Sequence, residues 1–349
     1  MQIDVSLPFH VPEQIALYQG DQLLSHEVCR FDPIRAVQHL QPRRDVLAID
    51  IGGDKARSAI YRFEHGNVST RDERVLQAKG GRGYLEFLRE LAEEANARDL
   101  AVGISSATKL NGSAIERTVN LPVFLHEMRE HCGADYRNLF GERASVVNDT
   151  IAGICGSSTH LALDGVAVGD VAFFISGSGM GASVISQGTA LHVEAAHVPV
   201  VAELNPFGQR TPCGVEGREY TCLDRIVAGR TGIEDIYRQQ TGTSLVGVAL
   251  GKLYEAGDPL ATSLYETSAL ALAHAIAGVM QRYHFRDSES SAVVLHGGNF
   301  EVAAYRDAVR RRLDALPHPR CRIVFSRDLS RNVCLDGAAM LAAWHEADC

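Results

Sequence analysis

The chain of 349 residues lacks several features that would place it outside the class of globular proteins. It has no apolar run of about 18 residues, so we expect no transmembrane helix and no membrane partner. No low-complexity tract indicates disorder. The net charge is −9, and the basic cluster at residues 310–312 is interpreted as a solvated helix face. Nucleic acid is therefore not an expected partner, because phosphate backbones require clustered Lys and Arg.

The sequence also lacks the marks of a secreted, disulfide-bonded protein. Its first residues show no basic segment followed by an apolar one, which is the pattern of a signal peptide. The eight cysteines are scattered along a long chain and do not form a recognisable disulfide framework. We therefore expect a cytoplasmic protein with reduced thiols.

Length and the order of hydrophobic segments predict two α/β domains. Residues 1–44 are rich in Pro, Gln and His, show no pair of helices that would read DNA, and are interpreted as a strand-and-loop layer on the small domain. We assign residues 45–165 to a small α/β domain and residues 166–335 to a large one. Residues 336–349 are predicted to form a C-terminal helix that returns toward the small domain.

Strand and helix patterns alternate through both predicted domains. The predicted strands are residues 46–49, 56–63, 67–76, 100–104, 144–147, 171–175, 182–186, 292–295 and 321–325, and the predicted helices are residues 84–98, 262–283, 300–313 and 337–344. The unit of strand, glycine turn and strand occurs twice, which suggests a duplication that forms two lobes around a central cleft. Glycine turns at strand ends would face that cleft.

Two glycine turns stand on either side of an Asn-Asp pair, Asn148-Asp149. The first turn contains Asp50, Gly52, Gly53 and Lys55, and the second contains Gly177, Ser178, Gly179 and Gly181. Glycine allows backbone amides to approach a phosphate closely, so such turns can bind polyphosphate. A carboxylate between two phosphate-binding turns suggests a base that activates a hydroxyl for phosphoryl transfer.

These motifs, in this order, resemble those of the ROK family (repressor, open reading frame, kinase) of bacterial sugar kinases and sugar-responsive repressors, part of the actin-like ATPase superfamily. The similarity runs from about Asp45 to Trp344. It implies a two-lobed α/β fold of the duplicated ribonuclease H type. It also implies glucokinase-like transfer of phosphate from ATP to a hexose, giving the hexose 6-phosphate, with Asp149 as the catalytic base and a homodimer as the assembly.

The resemblance assigns further residues to the two substrates. The residues on the sugar side are Asn120, Asn148, Glu194, His197 and Asp224. The residues on the nucleotide side are Asp50, Gly52, Gly53, Gly177, Ser178, Gly179, Gly181, Gly297 and Gly298. Asp50 is expected to hold Mg²⁺ through water. Lys55 is a candidate phosphate contact, with exposure to solvent as the alternative.

Several positions depart from the family motifs, and Ser178, which keeps the hydroxyl of the family's Thr, is a conservative one. Asp54 stands where the family has Thr, and a carboxylate beside ATP repels it unless it faces Mg²⁺ or pairs with Lys55 or Arg57. Ala196 replaces the Gly of the family's Glu-x-Gly-His element. Asp224 stands where the family has a sugar-binding Glu, so it keeps the charge and loses about one methylene of reach.

The structural zinc site of the family is incomplete in this sequence. The family binds zinc with the His of Glu-x-Gly-His and three cysteines. His197, Cys213 and Cys222 match three of these ligands, and Thr211 replaces the first cysteine. A closed tetrahedral site needs four ligands. Candidates for the fourth are Glu216, Glu219 and His192. The alternative is that the two cysteines are ordinary buried thiols.

The sequence leaves the substrate and the activity open. Glucose is the default sugar, and N-acetylmannosamine, N-acetylglucosamine, fructose, mannose and allose are alternatives, because one methylene or one hydrogen bond can separate them. Ser105, Ser106 and Thr108 follow a buried strand and are further candidates to line the sugar pocket. A second hypothesis is a sensor that binds sugar without phosphorylating it, and a third is a kinase that uses another donor, such as polyphosphate.

Overall fold

The computed structural model describes residues 28–39, 45–64, 67–118, 120–166, 168–215 and 219–347. The strands are β1 (Val28–Arg30), β2 (Val46–Ile51), β3 (Lys55–Glu64), β4 (Asn67–Gln77), β5 (Ala101–Ser106), β6 (Lys109–Asn111), β7 (Ala114–Arg117), β8 (Ala144–Asn148), β9 (Val171–Ser176), β10 (Met180–Ser186), β11 (Thr189–Val193), β12 (Ala292–His296) and β13 (Arg322–Phe325). The α-helices are α1 (Pro33–His39), α2 (Tyr84–Arg98), α3 (Pro122–Cys132), α4 (Arg137–Phe140), α5 (Asp149–Leu163), α6 (Asp224–Val227), α7 (Asp235–Thr241), α8 (Gly247–Glu255), α9 (Pro259–Arg282), α10 (Ala303–Asp314) and α11 (Val333–Ala347).

The described residues form two compact units. The first unit comprises those within residues 28–171, 183–192 and 326–347, and the second comprises those within 172–182 and 193–325. The domain boundaries inferred from the sequence stay predictions. None of the helices in the described part of the chain combines the length and apolar character needed to cross a membrane.

A five-stranded sheet in the order β4-β3-β2-β5-β8 organises the first unit. Strands β2, β5 and β8 run parallel, and β3 and β4 extend the sheet antiparallel. Side chains of β2 alternate between two cores, as the period of a strand requires. Leu47 and Ile49 pack into the core that contains α2, whereas Val46 and Ala48 pack against α11. The sheet is therefore covered by helices on both faces.

The second sheet has six strands in the order β1-β11-β10-β9-β12-β13. Strand β12 pairs parallel with β13, and β1 pairs antiparallel with β11. The described part of the predicted appendage therefore adds an edge strand to this sheet, and its interpretation as a strand-and-loop layer on the small domain stays a prediction. An unpaired strand edge offers backbone groups that a short segment can satisfy. The rest of residues 1–44 falls outside the described residues, apart from α1, which packs against α5.

Three glycines allow α11 to approach its neighbours at backbone distance. A Cβ at Gly337 would lie 1.7 Å from the carbonyl oxygen of Ala152 on α5, and a Cβ at Gly156 would lie 2.1 Å from that of Val333. A Cβ at Gly103 on β5 would lie 2.0 Å from a carbonyl oxygen of α11. The packing of α5, α11 and β5 therefore excludes any side chain at these positions.

Candidate functional site

The parallel strands of the first unit bring polar residues to one edge of the sheet. Asp50 lies beside Ser105, and Asn148 ends the next strand. The Asp50 carboxylate accepts hydrogen bonds from Ser105 Oγ (2.8 Å) and from Asn332 Nδ2 (2.9 Å). Both donors are neutral groups that orient the carboxylate. An oriented carboxylate fits a hydrated Mg²⁺, which prefers oxygen ligands and retains several waters.

Asn148 caps helix α5, and Asp149 is the first residue of that helix. The Asn148 amide oxygen accepts from the backbone N–H of Thr150 (2.9 Å) and from its hydroxyl (2.7 Å). Its amide nitrogen donates to the carbonyl oxygens of Thr108 (3.1 Å) and Ser106 (3.4 Å). An amide side chain has two N–H groups and two acceptor sites, so Asn148 uses its full capacity inside the protein. Direct contact with a sugar would require one of these bonds to break.

The candidate pocket hydroxyls lie in the same network. Ser106 Oγ is 2.9 Å from Thr108 Oγ1 and 2.8 Å from the hydroxyl of Tyr136, and all three residues are buried. Thr150 Oγ1 also lies 2.9 Å from Nδ1 of His192, on strand β11. Sequence reasoning missed Tyr136, Thr150 and Asn332 at this edge of the sheet, and it named His192 only as a candidate zinc ligand. Asn332 precedes α11 and accepts from its first amides, so its helix-capping position was the one usable indication.

The first glycine turn is braced by its neighbours. Three of its carbonyl groups accept hydrogen bonds from outside it: Gly52 from the Tyr84 hydroxyl (3.1 Å), Gly53 from Gly80 N (3.3 Å) and Asp54 from Ala78 N (2.9 Å). A Cβ at Gly52 would lie 3.2 Å from the carbonyl oxygen of Lys55. Asp54 is half-buried and Lys55 is exposed. The fold therefore holds the backbone of this turn in one conformation.

The second glycine turn and a third turn, which contains Gly297 and Gly298, lie together within the second unit. A Cβ at Gly297 would lie 2.3 Å from the carbonyl oxygen of Ser176, and Asn299 Nδ2 donates to Ser176 Oγ (2.8 Å). Gly297 has a φ of 116°, the one positive φ among the predicted site glycines in the described residues. Nothing lies within 4 Å of the Cβ direction of Gly298. The backbone at Gly297 is thus packed against Ser176, whereas the space at Gly298 is open. A phosphate-binding surface requires such an open backbone position.

His197 lies beside the two cysteines of the candidate zinc site. His197 Nδ1 is 3.4 Å from Cys213 Sγ and 4.0 Å from Cys222 Sγ, and the three ligand atoms lie within 4.8 Å of one another. His197 Nε2 faces Glu194 Oε2 at 3.7 Å. The hydrogen bond from Cys222, followed by the one from His197, lowers the pKa of Cys213, and the same Cys222–Cys213 bond raises the pKa of Cys222. One imidazole and two thiols at this spacing fit three ligands of zinc.

A fourth zinc ligand is not present in the cluster formed by the described residues. Thr211, at the position of the family's first cysteine, donates its hydroxyl to Asp235 instead (3.3 Å). His192 bonds to Thr150, Glu219 is exposed, and Glu216 lies outside the described residues. Zinc binding stays a prediction. The same holds for the sugar contact of Asn120, which is half-buried and precedes α3.

Glycine turns after β2 and β9 and a carboxylate at the start of α5, on two α/β sheets, define a protein with the actin-like ATPase fold. The ROK family model matches residues 46–344, so the chain belongs to the ROK family. A search of curated proteins finds no match for the chain. The predicted family and fold class are therefore confirmed by the family model and the structure.

Solved structures of family members share this fold. A ROK hexokinase from Thermus thermophilus is 24% identical, with 87% of this chain and 99% of that chain covered and a TM-score of 0.59. A ROK family glucokinase from Streptomyces griseus, in complex with glucose and AMPPNP, is 20% identical, with 85% and 98% covered and a TM-score of 0.58. A ROK family transcriptional regulator, a homologue of the E. coli MLC protein, is 17% identical, with 95% and 87% covered and a TM-score of 0.57. The fold alone is thus common to sugar kinases and a regulator.

Proposed function

We propose that this protein is an ATP-dependent hexose kinase that forms the hexose 6-phosphate, with glucose as the first candidate substrate. The observation that supports this most strongly is Asp149 at the first position of α5, beside an Asn148 cap whose hydrogen bonds are complete. The three glycine turns on the nucleotide side are retained in the same chain. A sensor would need neither a positioned base nor a phosphate-binding backbone.

Asp149 acts as the general base in this proposal. A sugar hydroxyl is a poor nucleophile because its pKa is far above 7. Asp149 accepts the hydroxyl proton while the sugar oxygen forms a bond to the γ-phosphorus of ATP. The bond from that phosphorus to the β,γ-bridging oxygen breaks, and ADP leaves.

The nucleotide side uses backbone groups and Asp50. The N–H groups of the turns at residues 177–181 and 297–298 would donate to phosphate oxygens, and Asp50 would hold Mg²⁺. A bound Mg²⁺ offsets negative charge on the phosphates. On the sugar side, Glu194 and His197 bind hydroxyl groups. His197 uses its Nε2 atom for this contact, because its Nδ1 atom is directed to the thiols.

The deciding measurement is ADP release with Mg-ATP across a panel of hexoses, amino sugars and N-acetylated sugars, with inorganic polyphosphate as an alternative donor. We expect saturable turnover on one sugar, and Asp149→Asn should lower kcat by at least about a hundredfold while sugar binding persists. No turnover on any sugar, with thermal stabilisation by sugar still present, would overturn the kinase proposal.

The alternative candidate is a sugar-binding regulator without kinase activity. Asp54 favours it, because it places a carboxylate where the family has the Thr hydroxyl of its first phosphate motif. The similarity in fold to a transcriptional regulator is compatible with it. Asp54→Thr tests this alternative: a gain of about tenfold or more in ATP affinity would indicate that the native nucleotide site is degraded.

We also propose a homodimer by analogy with the family, and we propose the cytoplasmic location and the domain boundaries on the sequence features given above. Light scattering in line with gel filtration measures the first of these directly. A single peak at the mass of two chains is expected, and a monomer at working concentration would contradict it.

A further inference from the structure

Asp224 stands where the family has a sugar-binding Glu, yet its carboxylate is directed into the second unit. Oδ1 accepts from the backbone N–H of Met180 (2.7 Å), and Oδ2 accepts from the Thr231 hydroxyl (2.7 Å). The residue is 7% exposed. Hydrogen bonds to an ionised acceptor are about twice as strong as neutral ones. Both oxygens of Asp224 are therefore engaged in strong internal bonds.

Met180 belongs to the second glycine turn, so Asp224 fastens that turn to the segment that follows α6. Two backbone bonds make the same connection: Gly229 N donates to Gly177 O (2.7 Å), and Thr231 N donates to Ser178 O (3.4 Å). A Cβ at Gly229 would lie 2.9 Å from Gly177 O, so the two segments touch at backbone distance. Asp224 supplies the one charged group in this set of contacts.

We infer that Asp224 is a positioning residue for the second glycine turn, which serves the nucleotide, and is not a sugar contact. The inference rests on the proposed use of that turn for phosphate. Its physical basis is reach, since a carboxylate one methylene longer could not keep both 2.7 Å bonds without moving the backbone. The shorter side chain of Asp224 therefore bonds to the second glycine turn and to Thr231 and does not contact the sugar.

The test separates nucleotide binding from sugar binding by calorimetry, using Mg-AMPPNP and glucose as separate probes. Asp224→Ala should weaken Mg-AMPPNP binding by about tenfold or more and change glucose binding by less than about twofold. Asp224→Glu, which restores the family residue, should also weaken nucleotide binding. Asp224→Asn should be mild, because its amide oxygen still accepts from Met180 and its nitrogen can donate to the Thr231 hydroxyl.

A second pair of variants protects the test against a general loss of folding. Thr231→Val removes the hydrogen bond to Asp224 Oδ2 and should weaken Mg-AMPPNP binding, as Asp224→Ala does. Thr231→Ser keeps the hydroxyl and should retain Mg-AMPPNP binding. Thermal unfolding of each variant checks that the fold persists. Tighter glucose binding in Asp224→Glu, or lost glucose binding with unchanged nucleotide binding in Asp224→Ala, would overturn the inference. Mg-AMPPNP binding by the parent protein without any turnover would refute the kinase proposal and leave the assignment of Asp224 standing.

Discussion

At the scale of single residues, the hydrogen bonds around Asn148 determine one another. The carbonyls of Ser106 and Thr108 can only accept and the Thr150 N–H can only donate, so the orientation of the Asn148 amide follows. The Thr150 hydroxyl proton goes to the Asn148 oxygen. His192 must therefore donate from Nδ1 to Thr150 Oγ1, which assigns the tautomer of its ring.

Removing the Thr150 hydroxyl should change the position of the proposed base, Asp149, without removing a contact to the sugar or to ATP. In Thr150→Val the Asn148 oxygen and His192 Nδ1 each lose a partner, and the start of α5 is held less firmly. We expect kcat to fall by about tenfold, with little change in the KM values for sugar and ATP. Steady-state kinetics measures this, and Thr150→Ser, which keeps the hydroxyl, is the matched control. An equal loss in both variants would count against the hydroxyl as the cause.

Ser105 should control how Asp50 presents its carboxylate to the metal. Ser105→Ala removes one of the two hydrogen-bond donors described above for that carboxylate. We expect the Mg²⁺ concentration for half-maximal activity to rise several-fold. One hydrogen bond contributes about 1 kcal/mol, and a loss of that size in metal binding gives a change of this order. Activity should recover at high Mg²⁺. Ser69→Ala, the same change at an exposed position of β4, is the control, and an unchanged Mg²⁺ requirement in Ser105→Ala would refute the role.

At the scale of elements, the glycines around α11 set how closely three elements pack. Gly337→Ala would place a Cβ 1.7 Å from the carbonyl oxygen of Ala152, so α11 must shift away from α5. We expect a loss of about 2 kcal/mol or more in the free energy of unfolding. Gly298→Ala is the matched control for stability, because its Cβ meets nothing within 4 Å. Denaturant unfolding compares the two, and equal midpoints would contradict the packing argument.

The loop from Cys213 to Cys222 is expected to be held by metal. Cys213 N donates to Tyr220 O (2.8 Å) and Leu223 N donates to Val198 O (2.9 Å), which brings both cysteines to His197. We predict that the purified protein contains zinc by elemental analysis. EDTA should lower the melting temperature of the parent protein and leave that of Cys213→Ser unchanged. A metal-free protein with no response to EDTA would identify the cysteines as ordinary buried thiols.

The strongly periodic or glycine-bounded elements were the predictable ones. Helix α2 matches its predicted range, because its buried side chains recur at helical spacing. Helices α9 and α11 begin earlier than predicted, at Pro259 and Val333, where Asp258 and Asn332 act as caps. Helix α10 begins later than predicted, after a 3₁₀ turn. None of the helices that the structure describes between residues 122 and 255 was predicted. Helices α4 and α6 have four residues each and carry little periodic information, whereas α5 has 15 residues but is buried along most of its length, so its sequence shows no amphipathic period.

At the scale of the whole molecule, the basic cluster at residues 310–312 lies on a largely solvated face of α10, as interpreted from the sequence, and its side chains also contact neighbouring residues. Arg311 and Arg312 pair with Glu266 at 2.9 Å and 2.8 Å, and Arg310 lies over the ring of Phe325 at 4.8 Å. With a net charge of −9, we expect no retardation of duplex DNA at about 150 mM salt in a mobility-shift assay of the full chain. Sugar-dependent retardation would support the regulator and oppose the kinase proposal.

The sequence by itself determined the family, the α/β fold and the positions of the three glycine turns and the Asn-Asp pair. These features depend on local backbone preferences and short spacings, which one segment carries alone. Only the tertiary structure decided what the site side chains bind: Asn332 reaches Asp50 across 282 positions, and Asp224 reaches Met180 across 44. The physical reason is that a carboxylate or an amide accepts whatever partner the packing brings within about 3 Å, and no local pattern encodes that partner.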